Sequence, residues 1–237
     1  MNERSLVLVL GLSFLLLGGC SDDGTSTPDA SVDQTVIADL PVSGGDTGAS
    51  CGAGVYPCGP YGTQLNDVVE NHKFLGFMDP NYFCKKSQDV VQDDTKKVPL
   101  DFDIWHLPPK DCPTKPKKLL WVMVSAGWCA PCVQKIKEVM AQYRIGALNP
   151  DLALMDILFE TDKRRPATEA FGKIWAKHTG MTFPLALDPE FKMGKYFSRE
   201  AVPFNMLIDL KTMKIFYRQT GSNMPQMAKK VAEFFAK

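Results

Sequence analysis

Hydrophobic and polar positions alternate between two periods in the second half of the chain. Residues 118–125 form a continuous apolar run rich in Val and Leu, with lysines before it and Gly127 after it. Such a run suits a strand covered on both faces. Beyond Pro131 the period lengthens, and Val133, Ile136, Val139, Met140 and Tyr143 recur at helical spacing until Gly146 and Pro150. A buried strand therefore feeds directly into an amphipathic helix. Residues 152–159 predict a second apolar strand, and 167–178 a second helix with Phe171, Ile174 and Trp175 on one face. Strands are expected at 184–187, 204–209 and 213–218, the last two joined by a turn at Lys211 and Thr212. An amphipathic helix over 224–235 closes the pattern.

Crossover helices demand parallel neighbouring strands, whereas the close pair near the end demands an antiparallel hairpin. One mixed sheet with helices on both faces meets both demands, so the expected fold class is α/β with three layers. Residues 51–117 are less regular. A strand is expected at 72–77, and 81–116 is rich in Pro, Lys and Asp. This stretch reads as an extension packed on a main domain at 118–237. No internal repeat is present.

The N-terminus has a different character. Arg4 precedes an apolar run over 6–17, broken by Gly11 and Ser13, and Leu17-Gly18-Gly19-Cys20 ends it with small residues. This is the pattern of a secretion signal over 1–20. The run is shorter than the ~20 apolar residues that a settled transmembrane helix needs. Its end resembles the lipobox of bacterial lipoproteins, which implies that Cys20 becomes the lipidated first residue of the mature chain. Ser21 in place of Asp favours the outer membrane by the same resemblance. Residues 21–50 contain Ser, Thr, Asp, Gly and Pro, and no Lys, Arg or aromatic residue. Such a segment cannot bury enough apolar surface to offset its ordering entropy, so it reads as an extended tether.

Charge changes the picture only by exclusion. With 27 basic and 27 acidic residues, no global field draws the chain to nucleic acid or to anionic lipid. Seven cysteines fit structural bridges only outside the reducing cytosol, which the leader supplies.

The candidate chemistry lies at the junction of the first buried strand and its helix, in Trp128-Cys129-Ala130-Pro131-Cys132. Two cysteines three positions apart can close a small disulfide ring on the first helical turn. Unpaired N–H groups and the helix dipole there stabilise a thiolate, so Cys129 is expected to titrate below a free thiol. Pro131 suits the opening turn because the N–H it lacks has no helical partner there. Trp128 shields one side of the ring.

This segment resembles the active site of the thioredoxin superfamily, and the element order resembles its extracytoplasmic, lipid-anchored TlpA/ResA-like branch. The resemblance implies a thiol-disulfide oxidoreductase without cofactor or metal, with catalytic Cys129 and Cys132. Its partners would be protein disulfide or dithiol substrates and an upstream redox partner, met in the periplasm of a bacterial envelope. About 70 residues on, Val202-Pro203 occupies the family's cis-proline position. By resemblance, Trp128, Pro131, Val202 and Pro203 contact the substrate, with the Val202 backbone pairing to its strand. Gly221 matches a further family glycine. Direction of electron flow is expected to favour reduction, by resemblance only. One departure stands out, because Met123 occupies the position of the buried Asp that moves protons in thioredoxin. Ala126, where peroxiredoxins carry Thr or Ser, disfavours a peroxidase.

Cys51, Cys58, Cys84 and Cys112 are expected to form two structural disulfides. Three pairings are open, and the local ones, Cys51 with Cys58 and Cys84 with Cys112, are preferred. His72, His106 and His178 are scattered, and His178 reads as an ordinary helix C-terminal residue. A rival function is a non-catalytic thioredoxin-like lipoprotein that binds partners or carries copper.

Overall fold

A computed structural model describes residues 55–79, 82–83, 96–107 and 117–237. Cys20, Cys51, Cys84 and Cys112, the leader and the tether lie outside the described residues. Seven strands form one sheet: β1 (Leu75–Phe77), β2 (Val98–Pro99), β3 (Leu119–Ala126), β4 (Leu152–Glu160), β5 (Leu185–Leu187), β6 (Phe204–Asp209) and β7 (Lys214–Thr220). Their spatial order is β2-β1-β5-β4-β3-β6-β7. The helices are α1 (Asp103–His106), α2 (Ala130–Arg144), α3 (Glu169–Thr179) and α4 (Met224–Phe235), with a 3-10 turn at Lys192–Lys195.

The apolar runs became the centre of the sheet. All eight residues of β3 and all nine of β4 are buried. Fully burying a Leu, Val or Met side chain is worth roughly 1.5–3 kcal/mol, so this strand pair anchors the core. Strands β3, β4 and β5 run parallel, linked through α2 and α3, while β6 and β7 add antiparallel to the other side of β3.

Register fixes which side chains share a face. Asp156 of β4 and Asn205 of β6 both stand opposite Met123 of β3. Lys135 of α2 reaches Asn205, and Trp175 of α3 reaches Asp156. Helices α2 and α3 therefore cover the same face. On the other face, Phe191 and Phe197, which flank the 3-10 turn, pack on Phe159 of β4 and Phe204 of β6.

One expectation needs correction. Ile174 of α3 is 60% exposed, and the buried stripe consists of Gly172, Trp175, Ala176 and Thr179. The helix begins at Glu169, capped by Thr168, whose Oγ1 accepts from the Phe171 N–H. Its inward face is set by Trp175 reaching Asp156, which turns Ile174 outward. The segment before 117 joins the sheet through its described residues. It lends β1 and β2 to the sheet edge beside β5, and α1 places Trp105 in the core.

Candidate functional site

Cys129 and Cys132 are joined by a disulfide, with Cα atoms 5.3 Å apart. Cys129 is the N-cap of α2, extended in backbone, and its sulfur accepts from the Cys132 N–H at 3.1 Å. Pro131 sits in the first turn, where a missing N–H leaves no bond unmade. Cys132 is fully buried, and Cys129 keeps only 3% of its surface. Access to the pair is therefore decided by its walls.

The tight β3–α2 junction depends on Gly127. A Cβ there would lie 2.5 Å from the Asp162 backbone nitrogen and from the Phe171 ring. Gly127 instead donates its N–H to the Glu160 carbonyl at 2.8 Å.

Pairing brings a second loop to the same end of the sheet. Because β6 runs antiparallel to β3 with Phe204 opposite Val124, the residues before β6 lie beside those after β3. The Val202–Pro203 peptide is cis. The Pro203 carbonyl accepts from the N–H of Gly221, which adopts φ 88°, a conformation open to glycine at little cost. Among the described residues, nothing bonds the Val202 N–H or carbonyl, and Val202 is half-buried. Trp128 and Cys129 at the β3–α2 junction and Pro131 and Cys132 in the first turn of α2 thus lie at the same end of the sheet as Val202 and Pro203.

Trp128 is held on two sides. Its indole Nε1–H donates to Glu160 Oε2 at 2.6 Å, and the Arg164 guanidinium lies 4.0 Å from its ring centre. Glu160, 5% exposed, also pairs with Arg199. Arg164 pairs with Glu200 at 3.1 Å.

Behind the disulfide lies a buried polar row that sequence reasoning did not assign. The Asp156 carboxylate accepts from Ser125 Oγ at 2.7 Å and from Trp175 Nε1 at 2.9 Å. Burial outweighs these bonds and pushes its pKa up to about 6. Lys135 follows Cys132 by one helical turn on the same buried stripe and is 1% exposed. Its Nζ donates to Asn205 Oδ1 and lies 5.2 Å from the Trp121 ring. Burial brings its pKa down to about 7, opposed by the charges of Glu138 and Asp156. The missing acid at Met123 thus has a neighbour one strand away, since Met123 pairs in register with Asp156. An Asp in the middle of the apolar run Leu-Ala-Leu-Met-Asp-Ile-Leu-Phe, and a lysine on the apolar stripe of α2, were the available signals.

Cys58 is disulfide-bonded. The ring of buried His72 meets Tyr196 Oη at 3.3 Å, and burial lowers its pKa to about 4. His106 Nδ1 lies 2.7 Å from the Leu210 carbonyl, and His178 lies in the last turn of α3. None of the three is in the two loops of the site. Among the described residues, no helix is long and apolar enough to cross a membrane.

No protein-family model and no curated protein matches the chain. Solved structures of similar path include a candidate protein disulfide isomerase from Bacteroides thetaiotaomicron, 21% identical over 73% of this chain and 89% of that one, with a TM-score of 0.49. A candidate thiol:disulfide interchange protein DsbE from Chlorobium tepidum is 12% identical over 73% and 98%, TM-score 0.49. AhpC from Enterococcus faecalis is 12% identical over 73% and 93%, also at 0.49. Strand order, a Cys-X-X-Cys pair opening α2 and a cis proline before β6 make this a thioredoxin-like fold.

Proposed function

We propose that the chain is a thiol-disulfide oxidoreductase that acts on protein disulfides outside the cytoplasm, anchored through a lipid on Cys20. The observation that carries this reading is the Cys129–Cys132 disulfide at the N-terminus of α2, beside a Val202 backbone whose N–H and carbonyl no described residue bonds. An extended partner segment has a place to add as a strand there.

In the reducing direction the Cys129 thiolate attacks one sulfur of a partner disulfide and the other sulfur leaves as a thiolate. Cys132 then attacks the Cys129 sulfur, closing the ring and releasing the second partner thiolate. Two electrons pass to the partner, and an upstream dithiol must restore them. Cys132 is fully buried, so its proton needs an internal acceptor. This reading assigns that role to Lys135, one turn on and with a pKa near neutrality, with Asp156 as a neighbouring charge. A disulfide at Cys58 and the export leader agree with an oxidising compartment.

The test is covalent trapping. Cys132→Ala is expected to leave mixed disulfides on Cys129 in membrane extracts, and the wild-type chain is expected to reduce insulin. Neither adduct nor insulin reduction would end the reading.

A further inference from the structure

Five side chains around the disulfide form a closed circuit. Arg199 pairs with Glu160, and Glu160 accepts from the Trp128 indole. Trp128 lies under the Arg164 guanidinium, and Arg164 pairs with Glu200. Glu200 is bonded through the backbone to Arg199, which closes the loop. Three chain segments meet in it: the Trp128-Cys129 turn, the loop after β4, and the residues just before Val202-Pro203.

The Arg164–Glu200 pair is exposed, with side chains 55% and 68% accessible, whereas the other arms rest on buried or braced groups. Glu160 is 5% exposed, and a carboxylate so buried is costly unless paired. Arg199 is braced on two aromatic faces, 4.2 Å from the Phe191 ring centre and 5.5 Å from that of Phe159. Arg164 has φ +54°, the left-handed region that a side chain enters at a cost. Thr161 holds that turn, its Oγ1 accepting from the Lys163 and Arg165 N–H groups at 3.3 Å. The turn spends strain to keep the guanidinium over Trp128.

We infer that this circuit sets the groove between the Trp128-Cys129 loop and the Val202 backbone, and so favours polypeptide disulfides over small ones. Arg164 and Glu200 are its positioning residues, acting through Trp128 and the 199–203 loop without touching the reacting sulfurs. The inference rests on the oxidoreductase reading. It follows from access: with 3% of Cys129 exposed, a partner reaches the sulfur only when the two walls stand at the right separation. A polypeptide segment must also lie along both walls, whereas a small disulfide needs only the gap between them.

The full chain tests it with Arg164→Ala, Glu200→Ala, the double variant and Arg164→Lys, each assayed on insulin and on bis(2-hydroxyethyl) disulfide, with thermal melts alongside. Both single variants are expected to lose about fivefold in kcat/KM on insulin, chiefly through KM, and less than twofold on the small disulfide. The double variant is expected to be no worse than the poorer single one, because both break the same circuit. Arg164→Lys keeps the ion pair but loses flat stacking on Trp128, and is expected to fall between wild type and Arg164→Ala. Equal losses on both substrates, no loss on insulin, or additive losses would overturn the proposal alone. A wild-type chain inactive on both disulfides would overturn the oxidoreductase reading and the proposal with it.

Discussion

A lysine amine and an aspartate carboxyl inside one small core are the most consequential residues behind the disulfide. Lys135 keeps its amine inside because Asn205 Oδ1 accepts from it and Trp121 offers a ring face. Its pKa is lowered in the folded state, so between about 7 and the ordinary lysine range the folded chain binds fewer protons than the unfolded one. Stability from this group therefore rises with pH across that window and is lost as pH falls through it. The oxidised wild type is expected to gain on oxidised Lys135→Met between pH 7 and 10, with a slope of at most ~1.4 kcal/mol per pH unit. Thermal melts across that range check the sign. In the reduced chain the same variant is expected to slow resolution of the mixed disulfide most near neutral pH, measured by stopped-flow. Asp156 carries the opposite linkage. Its raised pKa favours the protonated form, so its contribution is present below the ordinary aspartate value and is lost as pH rises towards 6.

At the scale of elements, the junction of β3 with α2 carries the chemistry and tolerates little change. Its geometry depends on a backbone that passes within contact distance of the next loop at Gly127. Gly127→Ala is expected to cost about 1–3 kcal/mol by forcing apart the Asp162 backbone and the Phe171 ring. A lowered Tm together with slower insulin reduction would register it, and an unchanged melt would mean the loop yields freely. Helices and strands were largely legible in the chain because their apolar periods are regular. The strand 204–209 and the helix 224–235 appear with the bounds the pattern predicted. Ile174 was not legible, since Phe171, Ile174 and Trp175 lie within one turn and only the position of Asp156 decides which way that turn faces. Strand β2, of two residues, carries no periodicity to read and exists through its partner β1.

For the whole molecule, the reading joins an anchor, a tether and one redox domain. Cys20→Ser is expected to move the protein from the detergent fraction to the soluble fraction, checked by Triton partition of cells expressing the full chain. Retention in the detergent phase would remove the lipid anchor from the account. Local pattern alone determined the alternation of elements and the oxidisable pair at a helix start. Each of those depends on neighbours in sequence: periodicity, capping, composition and a spacing of three. Tertiary structure alone decided that Asp156 stands beside Met123, that Lys135 buries its amine against Asn205, and that Glu160, Arg164, Arg199 and Glu200 close around Trp128. Those groups are spread over 82 positions, from Met123 to Asn205, and no local period relates them. Only the pairing of β3 with β4 and β6 brings their ends together, which is why the sulfurs were readable from the chain and their surroundings were not.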